Sequence, residues 1–185
     1  LKTQNKWLFT KYDALGRVIY TGIYTHGSVI TREAIQTYFD SQNNSKEKYY
    51  EEKLTSAGTL GIYYSSSDFP TTNLEVLTVN YYDNYTFNRA GANTSVSNIY
   101  GVNSTGNLKS LATGSKVKVL ESSPAKWITT VTYYDKKARP IYVYSKNEEL
   151  QTIDIVESKL DFSGKVLETK TTHKKSGKLF RFPVE

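Results

Sequence analysis

The sequence predicts a mainly β chain built of antiparallel hairpins, forming a curved sheet or a partly closed barrel, with one short helix near residues 31–40. Three observations lead there. The chain holds 16 Tyr, 7 Phe and 2 Trp among many Thr, Ser, Val and Ile, the residue types that suit a pleated, half-buried surface. Short β-prone runs end repeatedly in an acid followed by turn residues. Helical periodicity is clearest in a single segment.

Residues 7–20, WLFTKYDALGRVIY, read as the first hairpin. Trp7, Phe9 and Lys11 alternate with Leu8, Thr10 and Tyr12, which places the two sets on opposite faces of a strand. Asp13 can accept hydrogen bonds from backbone N–H groups further along a tight turn. Gly16 supplies the left-handed conformation that lets a type I turn feed the returning strand through a bulge. After Arg17, Val18, Ile19 and Tyr20 resume strand character.

The helix is expected over TREAIQTYFD, residues 31–40, with Thr31 as N-cap, Glu33 in the first turn, and Ile35, Tyr38 and Phe39 on one face. A break is expected at Asn43-Asn44, an extended piece from Tyr49, and a strand at LGIYYS, residues 60–65. VLTVNYYDNYTF, residues 76–87, reads as another strand ending in an acid. The Asn-, Ser-, Thr- and Gly-rich stretch 88–115 reads as a long-loop region around Ile99-Tyr100. KVKVL, residues 116–120, alternates as a strand, and the C-terminal stretch predicts a last hairpin turning at Lys175-Ser176-Gly177. Residues 1–185 are read as one β domain or a piece of a larger β shell.

Aligning the acids exposes a repeat. Asp13, Asp83, Asp135 and Asp161 each follow a β-prone run, and an aromatic residue precedes three of them: Tyr12, Tyr82 and Tyr134. A basic residue stands four places after three of the acids: Arg17, Arg139 and Lys165. Gly16 and Gly164 precede two of these, Ala138 the third, whereas the copy at Asp83 lacks both features. Spacings of 70, 52 and 26 residues exclude a uniform solenoid. One hairpin alone buries too little apolar surface to be stable, so such units must sit side by side in a sheet.

Composition removes several function classes. Without cysteine there are no disulfides, thiolate nucleophiles or Cys-ligated metals. A net charge of +6, spread along the chain, gives no concentrated nucleic-acid footprint, and no apolar run is long enough for a transmembrane helix. His26 and His173 are far apart and lack carboxylates at metal-ligand spacing. No G-x-S-x-G elbow supports a serine nucleophile. The acid pairs Glu51-Glu52 and Glu148-Glu149 read as solvated. Lys170, Lys174, Lys175, Lys178 and Arg181 read as a solvated edge hairpin, with an acidic partner as the other reading. No catalytic, cofactor-binding or metal-ligating residue is assigned, and a non-enzymatic chain is expected.

The repeated residues resemble the YD repeat of Rhs-type proteins, whose kernel is Y-D-x-x-G-R. YDALGRVI matches it, LDFSGKVL is a weaker copy, and YYDKKARPIY a third with alanine for glycine. The wider chain is similar to the repeat region of large Rhs proteins of the Bacteroidota type. That resemblance implies a secreted or cell-surface protein, with any signal lying outside this sequence. It also implies YD repeats wound as a strip of sheet around a C-terminal domain, often a toxin. The expected partners are then neighbouring repeats of the same polypeptide and an enclosed domain. The competing reading is a surface carbohydrate-binding module whose exposed tyrosine faces stack on glycans.

Overall fold

The computed structural model describes residues 5–28, 30–43, 49–175 and 178–184, the last seven and residues 42–43 by backbone alone. Strands β1 (Lys6–Tyr12) and β2 (Val18–Thr25) are followed by helix α1 (Arg32–Asn43) and strand β3 (Leu74–Tyr82). Then come β4 (Ala112–Lys118), β5 (Trp127–Tyr134), β6 (Pro140–Asn147), β7 (Thr152–Leu160), β8 (Val166–Lys175) and β9 (Lys178–Val184). Each strand is hydrogen-bonded to its neighbours in sequence, and the pairs β1–β2, β2–β3 and β4–β5 through β8–β9 are antiparallel. The chain divides into two compact units, Leu1–Val79 and Asn80–Glu185.

In the first unit, register puts Trp7 opposite Tyr24, Phe9 opposite Gly22 and Lys11 opposite Tyr20, so these side chains share one face. That face is the buried one: Tyr20, Tyr24, Val76 and Val79 lie in the core, while Leu8 and Tyr12 on the other face are exposed. Gly22 is required by close approach, because a Cβ there would lie 2.8 Å from the Phe9 ring and 2.1 Å from the Glu75 carbonyl. The helix begins as its sequence predicts: the Ala34 N–H bonds to Thr31 Oγ1 at 3.2 Å. Tyr38 and Phe39 of α1 set their rings edge-on against Phe69, at 5.5 and 5.6 Å.

The expected strand at 60–65 does not form. That segment makes one isolated bridge, Lys53 to Tyr64, inside a loop that crosses the buried face and contributes Ile62 and Tyr64 to the core. Its apolar residues follow a burial pattern without a ladder partner, which composition alone cannot separate from a strand.

In the second unit the face bearing Val131, Tyr133 and Tyr144 is buried. The long connection runs from 83 to 111, not 88–115, since Ala112–Ser115 already belong to β4. It lays Tyr85, Phe87, Ala92, Ile99 and Leu108 into the core. Phe87 stacks on Tyr81 at 4.2 Å and sits over Gly114, where a Cβ would come within 2.4 Å of its ring. The Lys175-Ser176-Gly177 turn falls partly outside the described residues; β8 and β9 flank it and pair Lys175 with Lys178.

Candidate functional site

Three of the four aspartates make one turn, bond for bond. At Asp13 the main-chain N–H donates to Arg17 O at 3.1 Å, and Gly16 N–H donates to Asp13 O at 2.9 Å. Asp135 does the same with Arg139 and Ala138, at 2.9 and 3.0 Å, and Asp161 with Lys165 and Gly164, at 2.9 and 3.2 Å. In each, Oδ1 accepts two backbone N–H groups, those two and four residues on: Leu15 and Arg17, Lys137 and Arg139, Ser163 and Lys165. The third residue after each acid has positive φ: Gly16 at 73°, Ala138 at 60° and Gly164 at 97°. A second irregularity follows in the same place each time, leaving Ile19, Ile141 and Leu167 without an opposite residue.

The basic residues then diverge. Arg17 clamps Asp13 Oδ2 through Nε and Nη2, both at 2.7 Å. Arg139 clamps Asp135 Oδ2 at 2.8 and 2.6 Å, and its Nη1 also donates to the Asp161 carbonyl at 2.7 Å, tying the second turn to the third. Lys165 contributes its backbone N–H and carbonyl to the turn, and no side-chain clamp. The Asp135 carboxyl is pushed up by burial, but the Arg139 guanidinium and the N–H donors outweigh this and hold it below the usual carboxylate range. Asp161 is held low chiefly by the Ser163 hydroxyl, then by its backbone donors.

Tyr82 and Asp83 follow a different course. Asp83 itself has positive φ, 71°, and its Oδ1 accepts the Ser110 N–H at 2.6 Å while its own N–H donates to Leu111 O at 3.0 Å. This acid ties together the two ends of the 83–111 connection.

The repeat positions beside the turns hold the connecting chain onto the sheet. The carbonyl one residue before the acid accepts an N–H from a connection in the first two hairpins: Tyr12 O from Glu51 at 2.9 Å, Tyr134 O from Thr105 at 2.7 Å. The side chain two residues before the acid donates to the same connections. Lys11 Nζ meets Glu51 Oε1 at 2.9 Å and Asp68 O at 2.5 Å, and Tyr133 Oη donates to Asn93 O at 2.5 Å. Tyr20 Oη adds a bond to Ser65 O at 3.0 Å. In the third hairpin Lys159 instead lies 5.9 Å from the Tyr100 ring centroid, and Glu168 accepts the Tyr100 hydroxyl at 3.1 Å.

Glu51 is therefore not solvated. It is 1% exposed, and its carboxylate also accepts the Ser65 and Ser67 hydroxyls and the Ser67 and Asp68 N–H groups. Burial raises its pKa, but the hydroxyl, N–H and ammonium donors win and bring it down to about 2. Glu52 beside it is exposed, as adjacent positions on an extended chain require. The SSSD sequence at 65–68, a cluster of short donors with no apolar residue of its own, was the available sign of a buried acid. Glu148 is also engaged, accepting the Trp127 N–H at 2.9 Å, while Glu149 pairs with Lys126 at 2.8 Å near the surface.

His26 lies in the loop after β2, edge-on to Tyr24 and Tyr38. His173 lies within β8, its Nδ1 2.5 Å from Asp154 Oδ1. Among the described residues no group of three or more His, Cys, Asp or Glu is placed to hold a metal, and no helix is long and apolar enough to cross a membrane. Tyr20, Tyr24, Tyr64, Tyr81, Tyr85, Tyr133 and Tyr144 are buried, and among the described residues the exposed tyrosines are Tyr12, Tyr38 and Tyr49. Comparison of the chain with protein-family models, with curated proteins and with solved structures finds no match.

Proposed function

We propose that the chain is a non-enzymatic structural segment of a large exported or cell-surface YD-repeat protein. Its repeats pack with neighbouring repeats to enclose or present another domain, a toxin being one such cargo. The observation that carries this reading is the triplicated turn at Asp13, Asp135 and Asp161, whose flanking positions twice secure a crossing length of chain. Such a unit holds polypeptide on one face of a sheet, which is the task of a scaffold. The tyrosines support the same reading, because seven bury their rings, and the hydroxyls of Tyr20, Tyr133 and Tyr144 donate to carbonyls of the crossing chain.

Limited proteolysis of the full-length gene product tests it. The region corresponding to residues 1–185 should resist digestion together with a further domain, and Asp13→Ala with Asp135→Ala should render both susceptible. Digestion of the further domain at the same rate with or without this region would overturn the scaffold reading. Saturable glycan binding abolished by replacing Tyr12, Tyr38 and Tyr49 would put a carbohydrate-binding module in its place.

A further inference from the structure

Between the 83–111 connection and the sheet of the second unit lies a cleft of about 230 Å³. Its floor is Tyr142, Tyr144, Ile153 and Ile155, its opposite wall includes Val96, and Lys174 stands on its lining. Two hydroxyls of the local tyrosine cluster are committed: Tyr133 to Asn93 O and Tyr144 to Ala90 O, at 2.5 and 3.1 Å. The Tyr142 hydroxyl has no hydrogen-bond partner among the described residues, although its ring is packed edge-on against Tyr133 at 5.5 Å. Lys174 likewise has no ion-pair partner among them. The contrast with the lysine four residues earlier is direct, since Lys170 meets Glu157 at 2.7 Å. Register sets Lys146 and Lys174 on either side of Ile153 and Glu157 beside Tyr142, where Lys170 pairs with it; Lys174 is the charged residue of the cleft lining.

We propose that this cleft binds a carboxylate carried on a single ring. An aromatic and aliphatic floor takes a flat or cyclic body, and an unpartnered ammonium takes an anion. An unpartnered phenol beside them takes an acceptor on the ring. The volume is below the range of about 300–1,000 Å³ that houses drug-sized ligands, which limits the occupant to about one ring. Two sources supply this chemistry, an acidic sugar residue and a free aromatic acid. Occupancy leaves the turns, the crossing chain and the scaffold role as they are.

The 185-residue chain, isotopically labelled, can be titrated with glucuronate and separately with 4-hydroxyphenylacetate while its amide resonances are followed. Saturable shifts at Gly91–Val96 and at Ile153 and Ile155 are expected with at least one acid. Glucuronate alone identifies the sugar source, 4-hydroxyphenylacetate alone the aromatic one, and both together recognition of the carboxylated ring itself. Lys174→Gln should weaken binding about tenfold, as should replacing the acid by glucose or 4-hydroxyphenylacetamide. Tyr142→Phe should weaken it by a smaller factor. Both substitutions leave the remaining spectrum in place, because Lys174 is exposed and the ring of Tyr142 is retained. Absence of saturable shifts with either acid, or unchanged affinity in Lys174→Gln, overturns the proposal.

Discussion

The hairpins β5–β6 and β7–β8 turn on the same hydrogen bonds and skip a residue at the same place, yet only one of them is covered. Ile141, the unpaired residue of the first, is 3% exposed; Leu167, its counterpart, is 57% exposed. Asp135 is buried and clamped by arginine, whereas Asp161 is half-buried and its carboxylate is partnered by a hydroxyl and backbone N–H groups. The hairpin β1–β2 sides with the covered case, with Ile19 fully buried and Lys11 tied to Glu51. The turn is thus a local property of about six residues, and burial is conferred by chain arriving from elsewhere. Local bonds repeated in sequence fix the hairpin; they do not decide whether it becomes core.

The largest effect expected from this comparison is at the cover's anchor. Glu51→Ala leaves Lys11 buried without its counter-charge and should cost about 3–5 kcal/mol, read as a lower midpoint in urea unfolding. The same acid sets a pH response. Its folded pKa is depressed from 4.5 to about 2, so its stabilisation is complete above 4.5 and is lost as the pH falls towards 2. Asp135, also depressed, adds in the same direction. Acid unfolding followed by circular dichroism should move to higher midpoint pH when the Ser65 or Ser67 hydroxyl is removed.

Next in size is the unpaired residue itself. Ile141→Ala should destabilise by about 2–5 kcal/mol, since it opens a cavity at a buried position. Leu167→Ala should stay within about 0.5 kcal/mol, as an exposed position predicts. Equal losses at both sites would break the distinction between covered and bare hairpins.

A smaller effect tests the turn they share. Ala138 holds φ at 60°, where a side chain is strained, so Ala138→Gly should stabilise by about 1 kcal/mol. Gly16→Ala has room for its Cβ but not the backbone freedom, and should cost about the same amount. Smallest of all, Lys165→Arg would give the third turn the clamp of the other two. At an acid this close to solvent the gain should be the smallest of the series, read as a urea midpoint that moves less than in Gly16→Ala.

The hairpins, the helix and its Thr31 cap were legible in the sequence because each depends on residues within one turn or on a short periodicity. Asp13, Gly16 and Arg17 state their geometry within five positions, and two further copies repeat it. The segment 60–65 and Glu51 were not legible for the opposite reason. Their environment is set by contacts 14 to 57 residues away, such as Lys11 to Glu51 and Lys11 to Asp68, and no local pattern encodes which distant surface a loop will cover. The cleft at Tyr142 and Lys174 belongs to the same class, since it exists only where the 83–111 connection passes over β6 and β7. Sequence by itself therefore determined the repeated turns and the antiparallel order they favour. Tertiary structure decided which of those hairpins is buried, which charges are paired, and where space remains, because these follow from long-range packing of inserted chain against a sheet.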